Sequence, residues 1–205
     1  MALFDKVSGT ASSVTSLTLT DTTKTWRENQ FKDWFVTISS TEFLIVSNTT
    51  DTLTLIGSTL TGTPTYEIAI VGRKYLEEIE SDASDTTKMP DTLILKKYNQ
   101  SNIDLDNKVF GYIRHTYKTY FDPTLNILNL EKMQRSYAYY MLYLLYSDLT
   151  LAQETFNTYK SELNNNQYSE TLKDGLSLLQ LDFNEDGEAD ASEKKDSAGG
   201  THFIR

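Results

Sequence analysis

The 205 residues contain no cysteine, which excludes a disulfide framework and thiolate zinc sites. Histidine is almost as scarce, and His115 and His202 stand too far apart in sequence to suggest an imidazole metal site. No run approaches the roughly 18 to 20 apolar residues of a membrane span, and the opening MALFDKVSGT lacks the charged-then-apolar order of a signal peptide. The catalytic patterns GxSxG, HExxH and the glycine-rich phosphate loop are missing, so no enzyme is expected. His115, between Arg114 and Thr116, reads as a surface or packing residue rather than a general base. Positive charge is also short, with 19 Lys and Arg against 29 Asp and Glu and a formal charge of −10. Without a basic stripe, such a chain repels a phosphate backbone.

What is present divides into two regions of different period. Between about residues 8 and 72 the chain is rich in Thr, Ser, Val and Ile. It alternates in SLTLTD (16–21), FVTIS (35–39), FLIVSN (43–48), TLTLIG (52–57) and YEIAIVG (66–72). Short period-2 runs separated by polar turns predict antiparallel strands, and five of them predict a small barrel or sandwich. Trp26, Phe31, Trp34 and Phe35 are expected to plug one side of its core.

After Gly72 the period lengthens. KYLEEIE (74–80) is followed by a polar stretch to about residue 107 that contains Pro90. Leu93, Ile94 and Leu95 within it are open to two readings, an added strand or an extended connection. One helix is expected over 105–121, stopped by Pro123, and a second through Leu130, Met133, Tyr137, Tyr140, Met141 and Leu144. Thr150 with Gln153 fits a capping box for a helix to about residue 164, and a last helix starts near Ser169. The expected fold is therefore α+β: a β-barrel module over 1–73, a helical bundle over 74–196, and a C-terminal arm over 197–205.

Residues 182–193 carry the most specific chemistry. Asp182, Asn184, Asp186, Asp190 and Glu193 occupy positions one, three, five, nine and twelve of an EF-hand loop, Glu188 offers its carbonyl at seven, and Gly187 takes the sharp turn at six. A solvated acidic loop is the plain alternative. Ala189 replaces the usual aliphatic residue at position eight, the exiting helix is short, and no second loop exists to pair with. A structural Ca²⁺ with affinity of roughly 10⁻⁵ to 10⁻³ M is expected rather than a sensor.

Tyr137, Tyr139, Tyr140, Tyr143 and Tyr146 surround one helix. They serve core and boundary packing, or one face, with Tyr139 and Tyr143, meets another chain. His202, Phe203, Ile204 and Arg205, after Gly199 and Gly200, form a disordered end or an arm that docks on a neighbouring subunit.

LTLTDTTKTW (17–26), DWFVTISS (33–40), FLIVSNTTDTLTL (43–55) and YEIAI (66–70) resemble a short β-module of tailed-bacteriophage virions. The helical part, with YAYYMLYLLYSDLT (137–150), FNTYKSEL (156–163) and the terminal acidic loop, resembles head–tail connector proteins of the adaptor or neck type. The resemblance implies a structural virion protein, made in the host cytoplasm, whose copies form a ring below the portal protein, twelvefold by analogy. Tail or fibre proteins would be further partners, and DNA would pass through the channel without specific binding. An acidic chain suits such a channel. The alternatives are a tail-fibre or surface module that binds glycan, with Trp26 and Trp34 exposed, and a calcium-regulated binding protein.

Overall fold

The computed structural model describes residues 3–57, 59–117, 127–148, 157, 161 and 167–182. It is an α+β chain, with seven strands preceding four helices among the described residues. The strands are β1 (Val7–Thr10), β2 (Ser13–Thr15), β3 (Thr18–Thr20), β4 (Phe35–Ile38), β5 (Thr41–Asn48), β6 (Thr52–Ile56) and β7 (Thr65–Ala69). All neighbours pair antiparallel, in the order β1-β7-β4-β5-β6-β3-β2. The two outermost strands are thus consecutive in sequence. A flat sheet of seven strands would hold its edges about 29 Å apart, whereas three Cα steps from Thr10 to Ser13 reach at most about 11 Å. The sheet must curl into a half-barrel whose edges are the two arms of one bent segment. At the bend, Ala11 N–H donates to the Pro64 carbonyl and Ser12 N–H to the Thr20 carbonyl, at 2.9 and 2.7 Å.

The five expected runs are all strands. β1 and the short β2 are additional, because VSGT and SVT are too brief and polar to show a period. Inside the curl lie Leu19, Val36, Ile45, Leu53 and Ile68, each without exposure. Trp26 and Trp34 join them, both in edge contact with Phe31.

The helices are α1 (Arg73–Ile79), α2 (Asp91–Tyr117), α3 (Gln134–Asp148) and α4 (Tyr168–Leu178). α1 starts where Glu42 of β5 accepts the amides of Arg73 and Lys74 at 2.7 and 2.8 Å, supplying the acceptors that a helix N-terminus lacks. α2 begins fourteen residues before the expected helix over 105–121, so Leu93, Ile94 and Leu95 lie in its first turns, in neither a strand nor an extended connection. Pro123 falls outside the described residues, and of the helix expected from Thr150 to about residue 164 only Asn157 and Ser161 are described, both helical. α3 is buried on every side, from Ser136, Tyr137, Ala138 and Tyr139 through Leu144, Leu145 and Tyr146, which makes it the central helix. One continuous apolar cluster runs from Leu3 and Leu19 through Ile70 and Leu76 to Tyr137 and Leu181, joining sheet and helices without a break.

Candidate functional site

The entry to the acidic loop is described, and it is fixed from three directions. After α4, Leu181 forms an antiparallel bridge with Ile127, and the Leu128 amide donates to the Gln180 carbonyl at 3.0 Å. The Asn129 side chain clamps the turn, donating to the Leu178 carbonyl at 2.8 Å and accepting from the Gln180 amide at 2.7 Å. Arg27, from the strand region, donates to the Ile127 carbonyl at 2.6 Å. Position one of the predicted loop, Asp182, is buried at the end of this construction. Burial lowers the Arg27 pKa, and the charges of Asp182 and Glu131 oppose that shift. The Asp182 carboxylate therefore lies within electrostatic reach of a guanidinium, so a cation held there would share it with a fixed positive charge.

Asn184, Asp186, Glu188, Asp190 and Glu193 lie outside the described residues, as do His202, Phe203, Ile204 and Arg205. Among the described residues, no group of three or more His, Asp or Glu stands together as a metal site.

On α3 the tyrosines differ in role. Tyr137 is fully buried, and its hydroxyl donates to the Tyr98 carbonyl at 2.9 Å and contacts Asn102 Oδ1. Tyr140 donates to Asp104 at 2.6 Å and stacks on Tyr168 and Tyr143, with ring centroids 4.9 and 6.1 Å away. Burial, followed by the Asp104 carboxylate, raises the Tyr140 phenol well above its ordinary range, so it stays a neutral donor. The two expected partner contacts are placed differently: Tyr143 is half-buried, and Tyr139 is largely buried beneath the Arg135 guanidinium.

Tyr139 nevertheless lines a groove of about 460 Å³ with Tyr75, Glu78, Ile79, Arg135 and Gln167. Tyr75 and Glu78 also line a second hollow of about 550 Å³ over the sheet, floored by Phe35, Phe43, Leu44 and Ile56. Ile56 is 59% exposed there, which is high for so apolar a residue. Sequence reasoning passed over this surface because its residues come from β4, β5, β6, α1 and α3. Only KYLEEIE, with Tyr75 and Glu78 three residues apart, gave a local hint. His115 is exposed on the last turn of α2.

No helix among the described residues is long and apolar enough to cross a membrane. No protein-family model matches this chain, and neither a curated protein nor a solved structure does.

Proposed function

We propose that the protein is a structural component of a tailed-phage virion, a connector or adaptor subunit that assembles in a ring below the portal and carries one structural calcium ion. The observation that carries the reading is the burial of Trp26 and Trp34, at 8% and 3% exposure. Glycan-binding modules stack sugars on exposed aromatic faces, and here both indoles are core. The adhesion alternative thus loses its most plausible contact chemistry, and the β-module reads as a rigid scaffold joined to the helices by a shared core. Rigid docking surfaces suit an assembly subunit. The groove across Tyr75, Glu78 and Tyr139 supplies a concave contact surface of aromatic and charged character, the composition found at protein interfaces.

Calcium enters this reading as a lock. With its entry pinned by Ile127, Asn129 and Arg27, a loop that closes on an ion would fix the last helix against the bundle. The neighbouring Arg27 argues for the weak end of the affinity range.

The deciding experiment is the mass of the purified protein by light scattering, with calcium and with a chelator, alone and with a portal ring added. A large closed oligomer, alone or on the portal, supports the connector. A strict monomer that ignores the portal and binds glycan instead overturns it.

A further inference from the structure

Leu3 and Phe4 precede the first strand, yet both are buried, Phe4 completely. Their backbone is anchored as well. The Leu3 amide donates to both carboxylate oxygens of Asp106 at 3.1 and 3.2 Å, and the Phe4 carbonyl accepts from Tyr98 Oη at 3.1 Å. Tyr98 Oη in turn accepts the Ile70 amide at 3.3 Å. The Phe4 ring packs on Tyr137 with centroids 5.4 Å apart. Lys6 closes the segment, paired with Glu67 of β7 at 2.6 Å and lying over the Tyr98 ring. Four residues therefore bridge the sheet and helices α2 and α3, and one buried carboxylate holds their leading amide.

We propose that residues 3–6 form a strap across the junction of sheet and helices, and that ionisation of the buried Asp106 side chain drives the strap open. Neutral, this carboxyl fits a site walled by Leu3, Phe4 and Tyr137. Ionised, it still accepts the Leu3 amide but is cut off from water, and opening the strap restores its hydration. The groups that face it are Asp5 on the strap side and Tyr137 on α3. Burial is the largest influence. Together with the like charge of Asp5 it outweighs the amides of Leu3 and Phe4, raising the carboxyl from 3.8 to about 6. A value raised in the closed state means that protons favour closure. The strap is tightest below about pH 4 and loosens as pH rises through about 6.

The test is amide hydrogen exchange at Leu3 and Phe4 in the full chain, comparing wild type with Asp106→Asn at each pH so that intrinsic exchange cancels. The wild-type to variant rate ratio should rise roughly tenfold from about pH 5 to about pH 7.5, while amides of central α3 show no such rise. A ratio that stays flat or falls with pH overturns the proposal. Should Asp106→Asn fold poorly, a carboxyl NMR titration of wild type decides. Asp106 titrating near pH 6, together with the Leu3 amide resonance, supports the strap, and a midpoint near 4 or an unresponsive Leu3 overturns it.

Discussion

Gly9 stands where β1 crosses the buried pair of Tyr66 and Asp21, and a Cβ there would lie 2.5 Å from Tyr66 Oη and 2.6 Å from Asp21 Oδ2. Both atoms are held by their mutual 2.7 Å hydrogen bond, so neither can swing aside cheaply. Gly9→Ala is expected to cost about 1–3 kcal/mol through overpacking, read as a lower urea midpoint with an unchanged slope. Asp21 itself illustrates competing influences. Burial pushes its carboxyl up, but bonds from Thr23 and Tyr66 and the charge of Lys24 hold it below its usual range. A lowered folded pKa gives stability that is present above the unfolded value and lost as pH falls through the folded one. Acid below about pH 4 should therefore destabilise the strand region through Asp21. Tyr66→Phe, which removes one of the bonds, should shrink that acid-dependent loss in melting curves taken at several pH values. Asp106 has the opposite sign and acts at higher pH, so the two carboxyls are separable by where their effects fall.

At the scale of the element, the β4–β5 hairpin shows what two residues cost. Ile38 pairs directly with Thr41, leaving a two-residue loop of Ser39 and Ser40 with φ of 49° and 69°. Such loops favour Asn-Gly, since serine meets Cβ strain in the left-handed region. Ser39→Asn with Ser40→Gly should raise stability by about 1 kcal/mol in chemical denaturation, without shifting the strand register. The same scale explains what sequence pattern revealed and what it hid. Strands β3 and β6 were readable because Leu19 and Leu53 alternate with Thr, and β4, β5 and β7 because Val36, Ile45 and Ile68 sit in short apolar runs bounded by polar turns. The first half of α2 was not, because its inward positions include Lys97, Tyr98, Ser101 and Asn102, a polar face that continues to Asp106. Three of these polar residues are satisfied at long range: Lys97 by Asp148 at 2.8 Å, Asn102 by Tyr137, Asp106 by Leu3. A hydropathy period cannot register a buried face made of paired polar groups, and the partners lie 35 to 103 residues away in sequence. For the candidate site, the acidic pattern at 182–193 is local in sequence, and of it only Asp182 lies among the described residues. The groove at Tyr75 and Tyr139 was assembled by folding and therefore was not legible.

For the whole molecule, the apolar cluster that runs from sheet to helices predicts one cooperative transition. Near-UV signals from Trp26 and Trp34 and far-UV helical signals should lose structure at the same temperature. Two separated transitions would show that the regions unfold independently. A calcium ion in the terminal loop should move that transition upward by mass action, by about 2.7 kcal/mol at a hundredfold excess over the dissociation constant. Glu193→Gln, which removes the expected bidentate ligand, should abolish the shift while leaving the calcium-free melt unchanged. The bent segment at Ala11 and Ser12 has a further, mechanical consequence. Because its two arms are the outermost strands, tension at the N-terminus loads β1 on β7 and, through the corner, β2 on β3. A subunit under tension at that end cannot shed one margin of its sheet and keep the other, so under an optical trap the β-module should rupture in a single step instead of peeling strand by strand.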